Sequence, residues 1–336
     1  MKTLSHQETG HVARRDDLDF LKGVLIILVI SFHLTYIGDS HPYAKQIVYT
    51  FHMPAFLILS GYLMNIRKPW RGFFRTILGY AIPYIVMESG YILMASVLPI
   101  REHIDSLTWG VFLEKLLLDP IGPYWYLQTL IVCGIAYFAT FRFVPMKPLS
   151  QLIVLGIVLY ALSSLAHGMA FASALYFVAG VAVRQSGLAF TNIFQGSAVA
   201  IIAFVLLAIH PQNLLQEQPG GILMVYLAIA CLLFAYSHIG KKPRHLLVFL
   251  GKNTMPLFLF SPIFTFVCKP LVPFLQFDPT GVSFLLPSLL ICIAGSLCIE
   301  WGLKKTGLSQ YFYCKKSATP PVPATYDKTN TRNIKS

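Results

Sequence analysis

The sequence predicts an all-α integral membrane protein with about ten transmembrane helices and with its N-terminus and C-terminus in the cytoplasm. Of its 336 residues, 56% are hydrophobic and only 12% are charged, and the mean hydropathy of +0.64 is well above that of soluble globular domains. Each apolar stretch is near the roughly 20 residues that a helix needs to cross a bilayer. In chain order, the predicted spans lie near residues 18–36, 45–64, 73–98, 123–141, 150–166, 169–184, 192–210, 220–239, 246–268 and 283–303.

The first span is predicted to be a retained helix rather than a cleaved signal peptide. The apolar run Val24–Ile30 follows Arg15, as in a signal peptide, but the next residues, Ser31–Leu34, contain no small-x-small cleavage site. In the second and third spans, Pro54 and Pro83 each remove a helical hydrogen bond and are expected to bend the helix. The later spans are delimited by the short polar loops between them.

The distribution of Lys and Arg predicts the orientation. With the N-terminus placed in the cytoplasm, the external loops hold only four of the 26 Lys and Arg residues, which leaves 22 on or near the cytoplasmic face. This asymmetry follows the positive-inside rule and favours an even number of spans. It also explains the net charge of +12 without nucleic-acid binding. The four external residues are Lys45, Arg101, Lys115 and Lys269.

One membrane domain is predicted over residues 14–303, between a disordered N-terminal tail, 1–13, and a basic, disordered cytoplasmic tail, 304–336. Both tails are polar, and the second is rich in Pro, Thr and Lys, a composition that cannot form a core. The six cysteines form no CxxC pair. They are interpreted as small apolar packing residues, and no metal site is predicted.

Three ionisable residues lie inside the first three predicted spans, at positions where charge is costly. Counting about 1.5 Å per helical residue places His33, His52 and Glu88 at one level, about 20–22 Å above the cytoplasmic edge. A neutral histidine can take a proton from an alcohol if a carboxylate fixes its tautomer, and Glu88 is the candidate for that carboxylate. The alternative is two packing histidines bonded to backbone or hydroxyl groups, with Glu88 protonated or paired with a tyrosine.

Two arginines continue the cytoplasmic basic cluster into an apolar helix. Arg71 and Arg75 are one helical turn apart, and paired guanidinium groups can grip phosphates. Topology alone accounts for Arg67 and Lys68.

The long external loop at about 99–122 leads into the run Gly122–Tyr126. Aromatic residues at this point are candidates for stacking on a sugar, and Trp125 is also a candidate interface anchor.

These motifs together resemble the acyltransferase-3 family of membrane-bound O-acyltransferases, and within it the subgroup similar to fucose 4-O-acetylases. The resemblance covers about residues 14–303. It rests on the block Arg15–Gly23 (RDDLDFLKG) followed by His33, on Phe51–Pro54 (FHMP), Leu59–Tyr62 (LSGY), Arg71-x-x-x-Arg75, Pro83–Tyr84, Trp125–Leu127 (WYL) and Leu250–Thr254 (LGKNT).

The resemblance implies a ten-helix enzyme that takes an acyl group, usually acetyl from acetyl-CoA, on the cytoplasmic side and delivers it to a hydroxyl of a sugar. It implies His33 as the key catalytic residue and Arg15, Arg71 and Arg75 as contacts to the acyl-CoA. Lys22 stands where Arg is more usual; it keeps the charge but loses the bidentate fork. Many relatives carry His where this chain has Ser261, and no role is assigned there.

The sequence therefore predicts a multi-pass protein of the cytoplasmic (inner) membrane that transfers acetyl from acetyl-CoA to a surface polysaccharide or related glycan. The predicted site consists of catalytic His33, His52 and Glu88, acyl-CoA contacts at Arg15, Lys22, Arg71 and Arg75, and sugar contacts at Trp125 and Tyr126. The predicted partners are acyl-CoA, a carbohydrate acceptor and the lipid bilayer. The alternative is a proton-coupled transporter that uses the buried ionisable residues as a relay. Transporters usually show repeated halves, whereas these residues cluster in the first third of the chain.

Overall fold

The computed structural model describes residues 15–98, 102–165 and 169–314, and within these ranges the regular structure is entirely helical. The predicted N-terminal tail, 1–13, lies outside the described residues. The helices are α1 Asp16–His33, α2 Thr35–Ser40, α3 Pro42–Leu63, α4 Trp70–Val97, α5 Trp109–Leu117, α6 Trp125–Phe143, α7 Pro148–Leu165, α8 Phe171–Gln185, α9 Phe190–Ile193, α10 Ala198–Ala208, α11 Pro219–His238, α12 Lys241–Lys252, α13 Thr254–Cys268, α14 Val272–Leu275, α15 Val282–Lys305 and α16 Ser309–Phe312. Short 3₁₀ turns occupy Gly122–Tyr124, Pro211–Leu214 and Lys269–Leu271.

Six helical segments of the described chain are long and apolar enough to cross a membrane, which confirms a helical, multi-pass membrane protein. They comprise α4, α6 with its preceding turn, α7, α11, the continuous stretch Thr254–Leu275 and α15. The apolar helices α8 and α10 are shorter, at 15 and 11 residues. The count of ten spans and the cytoplasmic location of the termini stay predictions.

The predicted spans 18–36 and 246–268 are each divided in two; in the first, α1 ends at His33 and α2 begins at Thr35. The stretch 246–268 was expected to be one helix, but α12 ends at Lys252 and α13 begins at Thr254. Asn253, between them, has φ −110° and ψ 23°, and its amide nitrogen donates a hydrogen bond to the Phe249 carbonyl. Asn favours such breaks because its side chain competes for backbone hydrogen bonds. The break places Lys252 and Thr254 at the edge of the bundle near the start of α1.

Helix α1 lies against α12 and α13 on one side and against α3 on another. At the crossing with α12, a Cβ atom on Gly251 would lie 1.7 Å from the Asp19 carbonyl oxygen. At the crossing of α3 with α8, a Cβ atom on Gly180 would lie 2.0 Å from the Ile58 carbonyl oxygen. Both crossings therefore require glycine, which lets helix backbones touch directly.

We call the face of the bundle where α1 begins the lower face and the face where α1 ends the upper face.

The segment between α4 and α6 turns back into the bundle. Helix α4 has 28 residues and is therefore about 42 Å long. Glu88 lies nine residues before its upper end, and its Oε1 atom accepts a hydrogen bond from the Ile121 amide at 2.8 Å. Nearby, the Tyr84 hydroxyl donates to the Leu116 carbonyl at 2.7 Å. The connection thus returns about 14 Å below the upper end of α4 before α6 starts.

The first described residues of the predicted C-terminal tail are folded. Helix α15 continues to Lys305, and α16 follows. The buried Glu300 carboxylate accepts a hydrogen bond from the Tyr313 hydroxyl at 2.7 Å and pairs with the Lys304 ammonium at 3.0 Å. A buried carboxylate needs such partners, and they hold residues 304–314 against the bundle. Residues 315–336 lie outside the described ranges.

Candidate active site

Two of the three predicted catalytic residues come together around a tyrosine ring. His33 is the last residue of α1, and His52 lies near the middle of α3. The Tyr49 ring centroid is 6.2 Å from that of His33 and 5.0 Å from that of His52. His52 is only 3% exposed, whereas His33 is half-buried. The structure therefore places a histidine pair at the contact between α1 and α3.

Backbone carbonyls fix the tautomer of both histidines. The Nδ1 atom of His33 lies 2.7 Å from the Val29 carbonyl oxygen, and the Nδ1 atom of His52 lies 2.7 Å from the Val48 carbonyl oxygen. A carbonyl oxygen only accepts hydrogen bonds, so each Nδ1 atom must carry the proton. In the neutral ring, the Nε2 atom then holds the lone pair and can accept a proton from a substrate.

Glu88 is not the partner that orients these histidines. Its side chain is completely buried, and its Oε1 atom accepts from the Ile121 amide at the turn before α6. The predicted orienting role is filled instead by the Val29 and Val48 carbonyls, each four residues before its histidine. An equal height on separate helices did not bring Glu88 to the pair, because a helical residue also has a direction around the axis.

A cavity of about 340 Å³ opens at the lower face and reaches Met53, but neither His33 nor His52 belongs to its lining. Lysines line its lower part, and apolar and aromatic side chains line its upper part. Met53, which follows His52 directly, and Phe56, one turn below it, are among the lining residues. The cavity is lined by Lys22 of α1, by Met53, Phe56, Leu59, Ser60, Leu63 and Met64 of α3, by Asn65 and Lys68, by Thr76 and Tyr80 of α4, by Tyr126, Leu127 and Leu130 of α6, and by Gly251, Lys252, Thr254, Met255 and Phe258.

The cavity lining is positively charged, since no Asp or Glu side chain belongs to its described lining. Lys22 pairs with Asp19 at 2.6 Å, and Lys252 pairs with Asp16 at 2.9 Å. Lys68 donates to the Thr76 hydroxyl at 3.0 Å and has no carboxylate within ion-pair distance among the described residues. Lys68 is therefore the lysine whose charge is most available to an anionic ligand.

The three predicted arginine contacts do not line this cavity. Arg15 pairs with Asp17 at the start of α1 and donates to the Thr191 hydroxyl at 3.2 Å. The hydrogen bond to Asp17 raises the pKa of Arg15 above its ordinary value. Arg71 and Arg75 are exposed on α4, where the Arg71 guanidinium lies 5.3 Å from the ring centroid of Trp70. Trp70 is 61% exposed, so this face of α4 suits the boundary between lipid and water.

Of the two aromatic residues predicted to meet a sugar, Tyr126 is placed differently from the expectation. The Tyr126 hydroxyl lies 2.7 Å from the Ser60 Oγ atom in the cavity that opens to the lower face. Its ring packs 5.4 Å from the ring of Phe258. Trp125 is half-buried and packs against the core. Because the chain turns back into the bundle before α6, Tyr126 lines that cavity and not an external mouth, and a sugar contact at Trp125 stays a prediction.

Several cavity residues come from motif pieces that had no assigned role. Ser60 belongs to the run LSGY, and Lys252 and Thr254 belong to LGKNT. The predicted Lys22 contact is in the lining as well. Lys68 was missed because the positive-inside rule already explained a lysine in that loop. The motifs themselves were the feature of the sequence that could have indicated this site, because residues from motifs far apart in the chain line one cavity.

Comparisons with known proteins agree with the family resemblance seen in the sequence. A family model described as an acyltransferase domain matches residues 15–301. The chain is also 30% identical over 125 residues to the nodulation protein NolL of Sinorhizobium fredii (strain NBRC 101917 / NGR234), a match that covers 34% of this chain and 33% of that protein. The chain thus spans about a third of the length of this curated relative. No solved structure matches the chain.

Proposed function

We propose, because this chain belongs to the acyltransferase-3 family over residues 15–301, that it is a membrane O-acyltransferase. It would move an acyl group, in our proposal acetyl from acetyl-CoA, to a hydroxyl of a sugar in a surface polysaccharide or related glycan. The lower face of the bundle would then face the cytoplasm, where acetyl-CoA is made.

The observation that carries the proposal is the cavity between the lower face and the His52 turn of α3. A CoA thioester has phosphates at one end and an uncharged, narrow arm that carries the acyl group at the other. The cavity has the same polarity, with Lys22, Lys68 and Lys252 below and Met53 and Phe56 above. Lysine ammonium groups bind phosphate as point charges. From Lys22 to His33 the distance along α1 is about 16 Å, which an extended arm has to cover.

The histidine pair supplies the base for the reaction. The Nε2 atom of a neutral His33 would take the proton of the sugar hydroxyl, whose oxygen then attacks the thioester carbonyl carbon. The carbon–sulfur bond breaks, and the thiolate leaves with the electron pair and is protonated to the free thiol. His33 gives that proton from its Nε2 atom to the sulfur, which restores the neutral base, and the buried His52, whose ring centroid is 5.0 Å from that of Tyr49, is the second base of the pair. Ester formation and thiol release balance without any further reactant.

The backbone carbonyls also stabilise the protonated form of each histidine. When His33 gains a proton at Nε2, its Nδ1–H group still donates to the Val29 carbonyl, which becomes a charge-assisted hydrogen bond. The same holds for His52 and the Val48 carbonyl. These carbonyls orient the rings before the substrate arrives, as a preorganised site requires.

The test is transfer of labelled acetyl from acetyl-CoA by the purified protein in nanodiscs, offered to a panel of cell-envelope glycans. Wild type should acetylate at least one glycan, and His33→Ala should lose transfer while its unfolding temperature and its affinity for acetyl-CoA stay near those of wild type. Full activity in His33→Ala would remove His33 from the mechanism. Failure of wild type to bind acetyl-CoA would contradict the proposed donor.

A further inference from the structure

A second pocket lies at the upper face, at the opposite end of α1 from the lysine-lined cavity. It has a volume of about 520 Å³ and begins at Leu34, the residue after His33. Leu34 is twelve residues from Lys22 and therefore about 18 Å further along the chain direction of α1. The pocket is lined by Leu34, Thr35, Tyr36, Asp39 and Ser40, by Thr265 and Lys269, and by Val272 and Phe284.

The lining combines aromatic rings with hydrogen-bonding groups of both charges. Tyr36 and Phe284 form an edge-to-face pair with ring centroids 5.2 Å apart. Asp39 is 69% exposed and offers carboxylate acceptors, while Lys269 offers ammonium donors and Thr265 a hydroxyl. Few polar groups placed around apolar surface are typical of small-molecule sites. One carboxylate and one ammonium leave the pocket without net charge, so it suits an uncharged ligand that bears many hydroxyls.

The pocket is connected to the histidine pair through charged and aromatic contacts. The Asp39 carboxylate lies 3.8 Å from the Lys45 ammonium of α3. That ammonium lies 5.7 Å from the ring centroid of Tyr49, the residue between the two histidines. The Asp39 carboxylate is thus linked through Lys45 and Tyr49 to the histidine pair, and Leu34 of the pocket wall follows His33 directly in the chain, although His33 itself does not line the pocket.

The floor of the pocket is held by a turn before α15. The Asp278 carboxylate accepts hydrogen bonds from the Thr280 and Ser283 amides, each at 2.9 Å. Gly281 has φ +69°, and a Cβ atom there would lie 3.0 Å from the Ile37 side chain. The turn can pack directly on α2 because glycine adopts this left-handed conformation without strain. Phe284 is thereby held against Tyr36 before any ligand binds.

From these contacts we infer that the upper pocket binds the acceptor, as an uncharged sugar whose ring lies against Tyr36, which the buried Phe284 supports from behind, and whose hydroxyls bond Asp39 and Lys269. The inference rests on the proposed acyl transfer and names the acceptor site for it. It replaces Tyr126 as a sugar contact, since Tyr126 lines the cavity of the opposite face. The two substrates then approach the histidine pair from opposite ends of α1.

The test measures binding without catalysis. Wild type in nanodiscs, without acyl-CoA, is titrated with p-nitrophenyl glycosides of neutral hexoses and deoxyhexoses, and contact is followed by saturation-transfer difference NMR. Tyr36→Leu removes the aromatic surface, and Asp39→Asn removes the charged acceptor. Each should weaken binding about tenfold, the size of one lost charge-assisted hydrogen bond or aromatic contact. Tyr36→Phe keeps the ring and should retain most of the affinity.

The matched control is Phe171→Leu, in another cavity of about 580 Å³ that is lined by Phe171, Tyr176 and Gln216. This variant should bind the glycosides like wild type. Wild-type affinity in both Tyr36→Leu and Asp39→Asn, loss of binding in Phe171→Leu, or no binding of any glycoside to wild type would each overturn the inference. Acetyl-CoA affinity, measured on the same samples, separates the two ideas. Glycoside binding at this pocket without acetyl-CoA binding leaves the acceptor pocket standing and refutes the proposed donor.

Discussion

Replacing Lys68 with alanine should weaken acetyl-CoA binding about tenfold while leaving the fold intact. Its ammonium lines the cavity and bonds the Thr76 hydroxyl, with no carboxylate at ion-pair distance among the described residues. A charge that is not already neutralised can pair with an incoming phosphate. Removing it costs the fold little, because a single hydrogen bond at an exposed site contributes about 1 kcal/mol at most.

The expected loss of acetyl-CoA affinity follows from the distance between the two charges and from the exposure of Lys68. Two unit charges 4 Å apart interact by about 4 kcal/mol at the effective dielectric constant of about 20 found near protein surfaces. Lys68 is exposed, so solvent and salt reduce this figure to about 1–2 kcal/mol. Since 1.4 kcal/mol is a factor of ten in affinity, the dissociation constant should rise about 5–30-fold. The effect should shrink as salt increases.

The other cavity lysines are poorer tests. Lys22→Ala would remove an ion pair at 2.6 Å to the Asp19 carboxylate, which is 2% exposed. That variant would therefore change the packing at the start of α1 as well as the charge of the cavity. Lys68→Ala avoids this difficulty.

The assay is isothermal titration of acetyl-CoA into the protein in nanodiscs at two salt concentrations. Arg71→Ala and Arg75→Ala are the matched controls, since each removes one cation from the same end of α4 but outside the cavity lining. The structure predicts affinity near wild type for both. Wild-type affinity in Lys68→Ala together with weak binding in the arginine variants would refute the reasoning and support the sequence-based prediction of an arginine clamp.

Three further predictions concern the fold around the two sites. Gly251→Ala places a Cβ atom 1.7 Å from the Asp19 carbonyl oxygen, so it should cost about 3 kcal/mol and lower the unfolding temperature; wild-type stability would contradict the backbone contact. Glu88→Gln keeps an acceptor for the Ile121 amide, whereas Glu88→Ala leaves that amide unpaired at a cost of about 1–3 kcal/mol, which thermal unfolding of both variants would measure. Hydrogen bonds from Thr280 and Ser283 lower the pKa of Asp278 to about 2 from an ordinary value of 3.8. Its stabilising effect, measured as the difference in unfolding temperature from Asp278→Ala, should be constant above about pH 4 and fade only as the pH falls toward 2.

Hydropathy and charge predicted the helical membrane fold because burial in lipid imposes the same demands on every span. Helix rise also predicted that His33 and His52 share a level, and the structure pairs them. Glu88 is predicted at that level too. The direction in which its side chain leaves α4 depends on how the helices pack, and residue spacing along the chain does not reveal this. Tyr126 was assigned to the outside because a long loop was expected to stay at the surface, whereas buried hydrogen bonds to Glu88 and Tyr84 draw it inward.

Lys68 and Asp39 show a second limit of prediction from the sequence. Lys68 lies in the connection between α3 and α4, and Asp39 lies in the short helix α2, and at both positions topology or solvation already explains a charge, so nothing in the local pattern marks it. Their importance comes from which other helices end nearby, and that is a property of the tertiary arrangement. By contrast, Ser60 and Thr254 stood inside motifs that the resemblance singled out, and only their meeting point was unknown.

The most direct test of the two-sided mechanism is glycan-dependent thiol release in vesicles of both orientations, with acetyl-CoA supplied only outside and glycan supplied on both sides. Release should occur when the lower face, with Lys68, faces outward, and it should be absent when that face points into the vesicle lumen. Release in both orientations, or only in the reverse one, would contradict a donor that enters through the lysine-lined cavity.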